Sequence, residues 1–173
     1  MISKKLWAAL GTAALLASAA IPALAATEGA VTATVTVQNI SITVSDGSVA
    51  YGTMAPNTSK DTTSGGLNDT QTATNNGNVT ENFLIRGQNS VNWTLQAAAG
   101  VDQYVHQFCT TGTGAPDLCD ANPVYTALTT VNQTLVNGVA ALGTQKVDLK
   151  VTTPTSSSNF SQQNVNVTVV ATI

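Results

Sequence analysis

The sequence predicts an all-β chain: a single antiparallel β-sandwich, jelly-roll or immunoglobulin-like, following an amino-terminal signal helix. Three observations carry this. Apolar and polar residues alternate with a period of two over several short runs, which puts one row of side chains inward and the other outward on an extended strand. Gly, Asn, Asp and Pro punctuate those runs, as turn residues do. Beyond Ala26 no stretch keeps a convincing helical period; the nearest, Val131 to Leu142, carries Gly138.

Residues 1–25 have the three parts of a secretory signal: Lys4 and Lys5, an apolar run from Leu6 to Ile21, and Ala23-Leu24-Ala25. Pro22 breaks the run before the cut, and no cysteine stands there to take a lipid. Cleavage is expected between Ala25 and Ala26. Residues 26–173 then form one sandwich domain, long enough for a single core, and the chain meets a membrane only through the signal before cleavage. The mature protein is expected outside the cell or at its surface.

Residues 31–44 alternate almost without a break. Val31, Ala33, Val35 and Val37 form one expected inward set and Ile40, Ile42 and Val44 another, with Gln38-Asn39 shifting the phase by one residue at a bulge or break. Asp46-Gly47 is a turn, Val49 to Met54 a short strand, and Pro56 to Thr70 a polar loop. A strand over 71–75 leads into the Asn75-Asn76-Gly77-Asn78 turn. Strands follow near 82–87, 91–97 and 103–108, each bearing an aromatic residue. Val124 to Leu128 and Thr130 to Val136 continue the sheet. Lys146 to Thr152 alternates again, and Val165, Val167 and Val169 close the chain.

Cys109 and Cys119 are the only cysteines. Export permits a disulfide between them, and the intervening loop composition makes it a tie across an excursion between strands. Redox catalysis would need C-x-x-C spacing, and zinc would need further His or Cys ligands. Oxygen donors at Asp117, Asp120 and Asn122 make a candidate calcium site, although the spacing does not fit the twelve-residue calcium loop. No cofactor is expected.

After cleavage four basic residues face nine acidic ones. Such a surface repels phosphate backbones, which excludes nucleic acid as a partner. His106, the single histidine, has no Ser, Cys or carboxylate at motif spacing and does not make a triad. Only Glu28 and Glu81 stand among the glutamates, without the paired arrangement a glycoside hydrolase uses. No catalytic constellation is legible. Eight Asn-x-Ser/Thr sequons are glycosylation sites if the host has that machinery, or else the by-product of polar alternation in strands.

The blocks Ile42-Thr-Val-Ser-Asp-Gly-Ser-Val-Ala-Tyr-Gly52, Thr74-Asn-Asn-Gly-Asn78 and Trp93-Thr94-Leu95 resemble a group of small secreted bacterial β-sandwich surface proteins. More remotely, Trp93-Thr94-Leu95 resembles the WxL cell-surface domain, which implies peptidoglycan, although the second W-x-L of that family is missing. At the level of architecture alone the chain is similar to TasA-like fibre subunits and jelly-roll pilins. The expectation is a non-enzymatic structural or adhesive surface protein. Its partners are copies of itself, joined through a strand containing Val31, Val35 and Val37, or components of the cell envelope. The alternative is a wall- or carbohydrate-binding module using Trp93, Tyr51, Tyr104 and Tyr125.

Overall fold

Ten strands and one helical turn make up a computed structural model that describes residues 28–110 and 118–173. The expected signal and its cut at Ala25 and Ala26 lie outside the described residues, as does Asp117. The chain divides into two units, 1–35 and 36–173. Of the first, residues 28–35 are described and contain no strand.

The second unit is all-β, in two sheets. The larger runs β1 (Ile42–Val44), β3 (Gln71–Asn75), β9 (Thr144–Thr152), β6 (Gln103–Thr110) and β5 (Thr94–Leu95), with β2 (Ser59–Asp61) on β9 and β7 (Thr126–Ala127) on β6. The smaller runs β10 (Val167–Thr172), β4 (Glu81–Gly87) and β8 (Gln133–Val139). All strand pairs are antiparallel except β5 with β6, which is parallel.

Period-two burial explains the core. Ala73, Tyr104, Phe108, Val147, Leu149 and Val151 from the larger sheet and Phe83, Ile85, Leu135 and Val139 from the smaller join one buried apolar cluster. β9 is also covered on its other face. There Asp148, 1% exposed, sits where β2 gives way to β3 along the same strand edge, and its carboxylate accepts hydrogen bonds from the Thr62 and Thr70 hydroxyls at 2.8 and 2.7 Å. A buried carboxylate needs such donors.

Several expectations change. The alternating run 31–44 is not one strand: only Ile42–Val44 pairs, with β3, and Val31, Val35 and Val37 are 92%, 92% and 81% exposed rather than inward. Val49 to Met54 forms no strand, because Gly52 takes a left-handed φ of +69° in its middle. The polar loop 56–70 contains β2, held by β9 rather than by any apolar pattern of its own. The 91–97 strand shrinks to Thr94–Leu95, and residues 131–142 are largely strand, with Gly138 at φ +74° beside a register shift against β4. Residues 75–78 are not a hairpin turn; they carry the chain from one sheet to the other.

Candidate assembly site

Residues 75–81 hold the chain that precedes β1. Asn78 donates from Nδ2 to the Val37 carbonyl and accepts from the Asn39 amide, both at 2.8 Å, while its own amide donates to the Asn39 carbonyl. The Asn76 amide donates to the Ser41 carbonyl, and the Ser41 amide donates to Glu81 Oε1 at 2.9 Å. Contacts at residues 37, 39 and 41 are the alternation of an extended strand. Asn75 stabilises the bend itself: its Nδ2 donates to the carbonyls of Val79 and Val139, and its Oδ1 accepts from the Gly77 amide. A Cβ on Gly77 would collide with the Asn39 carbonyl and with Glu81 Oε1. In the sequence this Asn-rich block reads as a turn, and Glu81 as one of two glutamates without a paired arrangement. The signal available was a glycine framed by three asparagines just ahead of a core strand.

Upstream of this clamp, Val31 and Val35 are exposed together with Ala33, outside any strand. The three residues singled out for assembly are therefore all presented to solvent. Ile40, also expected inward, is 43% exposed.

A groove of about 1380 Å³ opens between the sheets. Leu149 and Val151 line it from β9, Ile85 from β4, and Val167 and Val169 from β10, with Trp93 beside them. His106, 1% exposed, also faces it; the Tyr51 hydroxyl lies 3.2 Å from His106 Nε2, and the two rings meet edge-on. Burial lowers the imidazole from 6.5 to about 4, offset in part by the Val165 backbone. Burial, then the nearby Asp69 carboxylate, raises the Tyr51 hydroxyl, so it stays protonated and donates to a neutral ring.

The aromatic residues do not gather on one exposed face. Trp93 is half-buried and donates from its indole nitrogen to Ser157 at 2.8 Å. Tyr104 is fully buried with its hydroxyl on the Gln88 carbonyl, and burial pushes it up to about 12. Tyr125 lies beneath the Lys150 ammonium, 5.2 Å from the ring centre.

Cys109 and Cys119 form a disulfide with Cα atoms 6.0 Å apart. Cys109 alternates with the core residue Phe108, so the bond pins the helical turn α1 (Leu118–Ala121) to the face of β6 turned away from the core. In that turn Asp120 Oδ1 accepts the Ser64 amide at 2.7 Å, which ties α1 to the 62–70 loop. Asn122 is exposed, and among the described residues, which do not include Asp117, no three His, Cys, Asp or Glu side chains are grouped to hold a metal ion. Among the described residues no helix is long and apolar enough to cross a membrane. No protein-family model, curated protein or solved structure matches the chain.

Proposed function

We propose that this is a secreted, non-enzymatic structural protein of the cell surface, a β-sandwich whose mature form joins copies of itself by strand addition. The observation that carries the reading is the exposure of Val31, Val35 and Val37 on an alternating segment outside the sheets. A run with a strand's periodicity and no strand partner is suited to completing another sheet. Full burial of one valine is worth about 1.5–3 kcal/mol, and ordering one residue costs about 1–2 kcal/mol. The apolar row therefore offsets most of the ordering of the segment, and hydrogen bonds to an open sheet edge supply the remainder.

The disulfide fits an oxidising compartment outside the cytosol. The test is the size of the mature chain, residues 26–173, followed by light scattering and electron microscopy as concentration rises. Growth into oligomers or fibres that Val35→Asp abolishes is expected. A chain that stays monomeric at every concentration refutes the proposal.

A further inference from the structure

We infer that the groove bounded by β10 and β9 is the acceptor for this segment, and that its occupant is residues 31–37 of a second copy of the chain. The inference rests on the strand-addition reading above and adds the surface that receives the strand.

Among the open edges, β10 is the one left unprotected. It pairs with β4 through all six residues in unbroken register, and among the described residues no strand pairs with its other side. Its sequence, Val-Thr-Val-Val-Ala-Thr, contains no proline, glycine or charge, the devices by which sheets normally blunt an edge. The opposite edge of the same sheet, β8, carries Gly138 at φ +74° and a register shift, which twist it away from further pairing. In the larger sheet the edges β1, β2, β5 and β7 are three, three, two and two residues long.

The groove beside β10 has the size and chemistry of a strand rather than of a small ligand. Its volume of about 1380 Å³ exceeds the roughly 300–1,000 Å³ of small-molecule pockets. Leu149, Val151 and Ile85, themselves buried, form its apolar floor, and half-buried Val167 and Val169 line the edge. Residues 31–37, at about 3.3 Å per residue, span about 20 Å, long enough to run along the 165–169 stretch that lines the groove. Val31, Ala33, Val35 and Val37 would fill the groove while Thr32, Thr34 and Thr36 face water.

A second copy is favoured over the chain's own segment. Residues 37–41 are held extended by Asn78, Asn76 and Glu81. Residues 31–37 contain neither glycine nor proline to reverse direction.

Hydrogen exchange of the full mature chain, measured residue by residue across concentration, tests this, with Val35→Asp as reference. Val35 is exposed, so the variant is expected to fold and to show, at every concentration, the exchange of the unassembled mature chain. In the assembled mature chain, exchange is expected to slow at least about tenfold both at 31–37 and across 167–172, and both effects are expected to vanish in the variant. Assembly with slowed exchange at 31–37 but not across 167–172 overturns the acceptor and leaves strand addition standing. Slowing of both segments in a monomer means the chain fills its own groove and overturns the second copy. Absence of assembly, or assembly undiminished in the variant, overturns both readings.

Discussion

Acid should destabilise this protein through a single imidazole. His106 is buried against Tyr51 in the groove and held neutral down to about pH 4, whereas the unfolded chain protonates its histidine near 6.5. Between those values the unfolded state binds more protons, so stability falls as pH falls through the window and the loss is complete below about 4. The full difference is about 3 kcal/mol, and about 2 kcal/mol of it is lost by pH 5. Because the chain contains one histidine, no other imidazole shares that interval. Urea unfolding followed by Trp93 fluorescence at a series of pH values from about 7.5 to 5 reads the slope directly. In His106→Gln, whose amide can still accept from the Tyr51 hydroxyl, the slope over that range should flatten whatever the variant's absolute stability. A wild-type midpoint that stays level over the range, or a fall of equal size in the variant, would show that the groove does not desolvate this ring.

Three further outcomes are expected. Replacing Cys109 and Cys119 together by serine should cost about 2–3 kcal/mol for a sequence separation of 10, measured as a lower urea midpoint. Leu142, exposed and left-handed at φ +63°, should be better served by asparagine, so Leu142→Asn should raise stability by about 0.5–1 kcal/mol in thermal unfolding. Gly77→Ala should cost about 1–3 kcal/mol by driving a Cβ into the Asn39 carbonyl and Glu81, with faster amide exchange at 39 and 41 as its specific mark.

How much of this was legible depends on what an alternating pattern encodes. At 71–75, 81–87 and 144–152 the period-two rows match burial, because each strand lies inside a sheet whose neighbours come from the same chain. Residues 31–37 carry the same signal, yet their side chains stay exposed: periodicity says which side chains share a face, not what lies against it. β2, Ser-Lys-Asp, was invisible because its ladder is set by β9 and by Lys60 donating to the Tyr51 carbonyl, neither a local feature. The disulfide was readable from cysteine count and loop composition. The clamp was not, since Asn78 and Glu81 act on residues some forty positions upstream. The groove was equally hidden, because it is a gap between strands that are adjacent only in space.

The clamp also decides how the protein would bear a pull. In a row of copies joined through residues 31–37, tension enters each subunit at Val37 and runs along the strand axis. The bonds from Asn78, Asn76 and Glu81 and the β1–β3 ladder lie across that axis, so they are loaded together in shear rather than peeled one after another. The six-residue pairing of β10 with β4 receives the load from the neighbouring copy in the same geometry. In such a row a polar bend that is unremarkable in sequence would be the mechanical joint of the subunit.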